Sequence, residues 1–131
     1  MNIIGVGTDI VNISRLKLII KKNSSFKKRI FSKKEISYCE KKKLKIACFA
    51  KRFAAKEAFS KALGSGITKG IKFNEIEVIN DKMGKPNMNI YGSSLKIISK
   101  LLKKNNFNIY LTLSDDNPFA TATVILTTKW P

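Results

Sequence analysis

The stretch RFAAKEAFSKALGSG, Arg52–Gly66, constrains the fold more than any other part of the chain. It reads as the second half of a long helix from about Ile46 to Leu63, ending at Gly64, a residue suited to closing helices. On a helical wheel Ala54, Ala55, Ala58 and Ala62 share one sector. Methyl groups alone in that sector allow close approach of a strand or a second helix. Phe53, Glu57, Ser60, Lys61 and Gly64 fall within about a third of a turn on another sector. Glu57 and Lys61 stand at i and i+4 in the favourable order. On a surface they form an ion pair worth about 0.3–0.5 kcal/mol. Beside a Gly-Ser-Gly turn, the same two residues also suit half of a phosphate site.

The rest of the chain is punctuated around that helix. IIGVGTDI (Ile3–Ile10) is short and apolar and reads as a buried strand ending at Asp9. Asn12–Asn23 places Ile13, Leu16 and Ile20 at helical spacing, with Arg15, Leu18 and Lys22 on a separate basic face. Ser24–Lys45 reads as short helices, with Ser32 and Glu35 in a capping-box pattern. Ile71–Gly92 alternates twice around a turn at Asp81–Pro86, which predicts a hairpin. Ser93–Asn105 predicts an amphipathic helix built on Leu95, Ile98, Leu101 and Leu102. Phe107–Ser114, a DDNP turn and Phe119–Thr128 predict a second hairpin. The order β, α, α, α, ββ, α, ββ defines an α+β domain with an antiparallel sheet, a long central helix and a basic first helix. The 131 residues read as one domain, 1–131.

Composition narrows the chemistry. With no histidine, Ser-His-Asp and Cys-His machinery and histidine-ligated zinc are excluded. Acid–base or metal chemistry must use carboxylate, lysine, tyrosine, cysteine or water. Cys39 and Cys48 lack metal spacing and read as free, partly buried thiols. No apolar run approaches the roughly 20 residues that span a bilayer, and the N-terminus lacks a signal-peptide pattern, so a soluble, cytoplasmic protein is expected. The net charge is +17, and every basic residue except Arg15, Arg29 and Arg52 is lysine. Part of that charge reads as codon drift on a solvated surface; the remaining field attracts polyanions or acidic proteins.

Asp9 lies where a strand ends, after Gly5 and Gly7. It either caps the following helix or pairs with Glu57. Two oxygen ligands plus waters and substrate phosphates is the usual setting of Mg²⁺. Lys61 and the Gly64–Gly66 amides would then neutralise the remaining phosphate charge.

GVGTDIVNISR, RFAAKEAFSKALGSGI, NDKMGKPNMNI and YLTLSDDNPFATATVI fall in order along nearly the whole chain. Together they resemble the four signature blocks of the holo-acyl-carrier-protein synthases, the short bacterial phosphopantetheinyl transferases. The resemblance implies the 4′-phosphopantetheinyl transferase fold. It implies Mg²⁺-dependent transfer of 4′-phosphopantetheine from coenzyme A to a serine of apo acyl carrier protein, releasing 3′,5′-ADP and supporting fatty acid biosynthesis. Asp9 and Glu57 match metal ligands, Lys61 a lysine on coenzyme A phosphates, and Gly64, Ser65 and Gly66 the nucleotide-side loop. A homotrimer with intersubunit sites is implied, Gly84, Lys85 and Pro86 completing a neighbour's coenzyme A site. Glu57, or a water it orients, is the candidate base, and Lys61 steadies the transition-state charge. Arg15, Leu18, Lys21 and Lys22, with Lys27, Lys28 and Arg29 nearby, are the candidate docking surface for the acidic carrier. Tyr110 stands where the family often has histidine, and Asp115 falls within the range of its own motif position. The rivals are a nucleic-acid-binding protein, disfavoured by the spread of lysine and the absence of an RNA-binding motif, and a non-catalytic carrier-binding trimer, supported only by Tyr110.

Overall fold

The computed structural model describes residues 1–64, 70–103 and 106–129. Strand β1 (Ile3–Asn12) leads into helix α1 (Ile13–Lys22), followed by α2 (Phe26–Ile30), α3 (Lys33–Glu40) and the long α4 (Lys45–Leu63). A 3-10 turn at Phe73–Glu75 precedes β2 (Ile76–Asn80) and β3 (Pro86–Ile90). Helix α5 (Gly92–Leu102), β4 (Phe107–Asp116) and β5 (Phe119–Thr128) complete the order. The strands form two antiparallel sheets rather than one: β1-β5-β4 and β2-β3. The first strand therefore closes onto the last, Asp9 opposite Ala122 and Val11 opposite Ala120.

Helix α4 lies on the inner face of the larger sheet, and two glycines set how close it comes. A Cβ on Gly7 would stand 1.9 Å from the Ala58 carbonyl oxygen, and one on Gly5 1.9 Å from that of Ala62. Ala54, Ala55, Ala58 and Ala62 are all buried, as are Ala120, Ala122, Val124 and Leu126 of β5. Small residues on both sides allow a backbone-to-backbone approach that larger side chains would prevent. The opposite flank of α4 carries the aromatic core, where Phe31 packs on Phe49 with ring centroids 4.9 Å apart and Phe26 meets Phe53 at 5.7 Å.

Several local expectations change. Asn12, not Asp9, caps α1: its Oδ1 accepts from the Arg15 amide at 3.0 Å. β4 continues through Asp115 and Asp116, which pair with Ala120 and Phe119, so the turn shrinks to Asn117-Pro118, joined by a cis peptide bond. Helix α5 buries Ser94 and Ile98 but exposes Leu95 and Leu101. Ser94 fixes that rotation, because its Oγ donates to Glu75 at 2.7 Å and accepts from the Lys72 amide at 2.9 Å. The last residues of the expected helix, 104–105, lie outside the described residues. The cysteines are not free thiols. The turn at 41–44 folds the end of α3 onto the start of α4, brings the Cα atoms of Cys39 and Cys48 within 5.5 Å, and a disulfide joins them.

The Ser32–Glu35 capping box forms as expected and does more than cap. Glu35 is buried, and its Oε1 accepts from the Ser32 amide and from Lys56 Nζ, both within hydrogen-bond distance. Its Oε2 accepts from the Val78 amide at 3.0 Å. Lys56, fully buried, also donates to the carbonyls of Phe73 and Ile76. This ion pair ties α3, α4 and β2 together, and its groups are satisfied by hydrogen bonds, as burial of charge requires.

Gly7→Ala is expected to destabilise the fold by about 2–3 kcal/mol, an overpacking cost that no rotamer change can relieve because the opposing atoms are backbone. Thermal unfolding should show a fall in Tm of roughly 10 °C; an unchanged Tm would mean that β1 can move away from α4.

Candidate active site

On the inner face of β1, Gly5 and Gly7 are followed by Asp9 at the same period of two. Because the glycines let α4 come so close, Asp9 arrives beside the helix face that carries Glu57 and Lys61. Lys61 Nζ donates to Asp9 Oδ1 and to the Thr8 carbonyl oxygen, each at 3.0 Å. The expected Glu57–Lys61 ion pair within the helix is therefore replaced by a tertiary one between helix and strand. The lysine gains more from reaching two oxygens on β1 than from one neighbour along its own helix.

That choice leaves Glu57 without a salt-bridge partner among the described residues. Burial raises its carboxyl above the usual carboxylate range, the negative charge of Asp9 raises it further, and Lys61 opposes both. Asp9 and Glu57 line a cavity of about 280 Å³ together with Asn12, Arg15, Ile19 and Phe53. Among the described residues no cluster of three or more metal-ligating side chains exists. What the fold provides is two oxygen donors that repel each other across an open space. This donor set suits a hard divalent cation that keeps waters or substrate oxygens in its other positions.

A second, larger cleft of about 530 Å³ lies on the other side of α4. Gly84 and Pro86 line it, together with Lys42, Lys43, Arg52 and Thr112, whereas Lys85 does not. Arg52 is 3% exposed. Its guanidinium lies over the Tyr38 ring, 4.4 Å from the centroid, and donates to Asn80 Oδ1 at 2.6 Å and Cys48 Sγ at 3.4 Å. Its Nε has no partner among the described residues. Asn80 in turn donates to the Gly84 carbonyl oxygen at 2.9 Å, so the arginine and the β2–β3 turn are held as one unit. Asp115 is engaged by Lys51 at 2.9 Å at this cleft.

The two cavities stand at one level of the sheet but at opposite edges. Asp9 on β1 pairs with Ala122 on β5, which pairs with Leu113 on β4. Two strand spacings separate them, roughly 10 Å. Glu57 and Arg52 are five residues apart on α4, about 140° around its axis. One chain thus carries two cavities that face away from each other. Asp9, Glu57, Lys61 and Arg15 are brought together, and Gly84 and Pro86 are kept apart from them. Gly64 closes α4 in the left-handed conformation at φ 83°; Ser65 and Gly66 lie outside the described residues. Arg15, Leu18, Lys21 and Lys22 are exposed on α1, and Tyr110 is exposed on the outer face of β4.

The reading of the sequence missed Arg52, Lys42 and Lys43. A signal existed in the basic runs KKKLK and KR flanking Cys48, but spacing alone cannot separate a solvated lysine run from one lining a cleft.

Comparison with known proteins shows the chain's family. The 4′-phosphopantetheinyl transferase superfamily matches residues 5–124. A holo-[acyl-carrier-protein] synthase of Pelagibacter ubique is 44% identical over 129 residues, covering 98% of this chain and all of the relative. The crystal structure of the holo-[acyl-carrier-protein] synthase of Neisseria meningitidis superposes with a TM-score of 0.85 at 34% identity, over 97% of this chain and all of that one. The Bacillus anthracis synthase, crystallised in complex with CoA (3′,5′-ADP), gives 0.78 at 33% identity over 97% and 98% of the two chains. An α+β fold with a long helix on an antiparallel sheet and a paired-carboxylate cavity thus defines a transferase of the phosphopantetheinyl class. Within that superfamily the chain belongs to the holo-[acyl-carrier-protein] synthases.

Because its carboxyl is raised, the Glu57 side chain favours the native state when protonated and works against it as pH rises through the raised value. Glu57→Gln is therefore expected to increase the Tm of the metal-free protein at pH 7 and to leave it unchanged near pH 4. Equal shifts at both pH values would show that the charge of Glu57 is not the cause.

Proposed function

We propose that this enzyme transfers 4′-phosphopantetheine from coenzyme A to a serine hydroxyl of apo acyl carrier protein, with Mg²⁺ and in a homotrimer whose active sites lie between subunits. The observation that carries this reading is the split of the site into two half-sites on opposite edges of one sheet. A ligand that must touch both the carboxylates and the basic cleft can do so compactly only if β1 of one subunit faces β4 of the next. The outer face of the sheet favours such packing. Val6 and Tyr110 stand in one cross-strand row with Ile125, and Val6, Ile10 and Tyr110 are all exposed.

The basic cleft suits the nucleotide end of coenzyme A. Lys42, Lys43 and Arg52 meet phosphate charge there, and Gly84 and Pro86 border it. Lys61, Gly64, Ser65, Gly66 and Lys85 are assigned to the same ligand on the family resemblance. The diphosphate then reaches Asp9, Glu57 and Lys61 of the adjoining subunit. In the reaction the carrier serine Oγ forms a bond to the β-phosphorus, the bridging P–O bond of the diphosphate breaks, and 3′,5′-ADP leaves with that oxygen. Glu57 accepts the serine proton directly or through a water it orients. Lys61, held at Asp9, places a positive charge beside the phosphoryl group. Asp9 and Glu57 would hold Mg²⁺, which when bound supplies positive charge against the diphosphate. Tyr110, a neutral phenol, has no assigned role in proton transfer.

The acidic carrier docks on α1, where Arg15, Lys21 and Lys22 surround the exposed Leu18 as rim charges around an apolar anchor. Arg15 also lines the carboxylate cavity, so the docking surface runs directly into the site. The enzyme would act in the cytoplasm, in fatty acid biosynthesis; no helix among the described residues is long and apolar enough to cross a membrane.

Intact-mass measurement of apo acyl carrier protein incubated with the enzyme, coenzyme A and Mg²⁺ should show the gain of one phosphopantetheine, abolished by EDTA. A gain that survives EDTA would remove the metal from the reading. Intersubunit assembly predicts complementation. Glu57→Gln and Arg52→Met should each lose most turnover alone, and co-refolded mixtures should regain a substantial part of it. A mixture no better than its components would place each complete site within one chain.

A further inference from the structure

The disulfide has no part in the transfer reaction, yet it sits on the wall of the basic cleft. Cys39 is fully buried, whereas Cys48 is 6% exposed and lines the cleft beside Arg52. The bridge closes a short loop, with Cys39 and Cys48 nine positions apart, and the turn 41–44 inside that loop carries Lys42 and Lys43 of the same cleft. Cys48 Sγ also accepts from Arg52 Nη1 at 3.4 Å. The arginine's other donor reaches Asn80, which holds the Gly84 carbonyl oxygen. One sulfur atom is thereby connected to the lysine turn, to the buried arginine and to the β2–β3 turn. In a reducing compartment such a bridge is ordinarily transient, and its formation and loss carry information.

We propose that Cys48 is a thiol–disulfide exchange site, and that the oxidation state of the Cys39–Cys48 pair sets the affinity of the basic cleft for coenzyme A. The proposal rests on the reading of that cleft as the nucleotide end of the coenzyme A site. The reductant is a dithiol. One of its thiolates attacks Cys48 Sγ, the less buried of the two residues and the one on the cleft wall; a mixed disulfide forms, the bond to Cys39 breaks, and Cys39 leaves as a thiolate that takes up a proton. The second thiol of the reductant then attacks the mixed disulfide, releasing Cys48 and leaving the reductant as its own disulfide. Two electrons pass to the cysteine pair. An oxidised dithiol reverses the exchange.

Reduction changes the cleft in two ways that act in the same direction. The turn bearing Lys42 and Lys43 loses its staple, so ordering both lysines on a phosphate costs more conformational entropy. Cys48 Sγ already accepts from Arg52 at 3.4 Å, and once released from Cys39 it can rotate to stay on the guanidinium and compete with a ligand phosphate for it. The carrier surface on α1 contains none of these groups, so reduction should leave it unaffected.

Calorimetric titration of the full-length protein with coenzyme A, after diamide and after TCEP, tests this. Alkylation followed by intact mass counts the free thiols in each sample. The oxidised protein should contain no free thiol and bind coenzyme A roughly fivefold to tenfold more tightly than the reduced protein. The KM for the carrier should be the same in both. Cys39→Ser, which keeps the Cys48 thiol, should match the reduced protein and ignore TCEP. Two free thiols after diamide, or equal affinity in the two wild-type states, would overturn the exchange site; neither measurement depends on a variant folding. Loss of coenzyme A binding in both states would instead overturn the assignment of the cleft on which the proposal rests.

Discussion

Everything in the site depends on how closely β1 and α4 approach. Gly5 and Gly7 lie against the carbonyl oxygens of Ala62 and Ala58, leaving no room for a side chain between strand and helix. That approach is what brings Asp9 to Lys61, 52 positions away in the sequence, and sets its charge against Glu57. The carboxylate pair is costly: two negative groups share a partly buried cavity, and the lysine beside them pairs with only one of the two, Asp9. The packing around it makes the cost bearable. The Glu35–Lys56 ion pair anchors α4 from its far side, and the alanine-glycine seam fixes it from the near side. A helix held on both flanks cannot rotate to separate Glu57 from Asp9.

The same helix divides the charge chemistry in two. Its Glu57 face looks toward β1 and α1; its Arg52 face looks toward α3, β2 and β4. The large positive charge of the chain is therefore not uniform in effect. Lysines of α1 are solvated and free to attract an acidic protein, whereas Arg52 is packed on Tyr38 and bonded to Asn80, a fixed donor set suited to a small anionic ligand. Steering at the surface and recognition in the cleft are separate uses of one electrostatic sign.

Local patterns in the chain carried much of this architecture. Alternation and helical spacing marked the order of elements because apolar residues must repeat with the period of the structure they bury. The Ser32–Glu35 box was legible because capping is a contact between near neighbours. The motif residues Asp9 and Glu57 could be singled out by type and by resemblance to a family. Where neighbouring options competed, sequence was silent. Asn12 rather than Asp9 caps α1, and Lys61 leaves its helical neighbour for Asp9, since each choice depends on what stands across the interface. The α5 stripe shifted for the same reason, following Ser94 and its bonds to Glu75 instead of the leucines.

What the sequence determined by itself is the set of elements, the absence of histidine chemistry, and the close-packing surface of α4, all properties of composition and short-range period. Only the tertiary structure decided that Asp9 and Glu57 meet, that Arg52 and the Gly84–Pro86 turn form a second cleft away from them, and that Cys39 and Cys48 are bridged. Each of these is a juxtaposition that no periodicity produces. Their meeting depends on strand register, on the rotation of a helix about its axis and on the path of a four-residue turn, and those are set by packing over the whole domain.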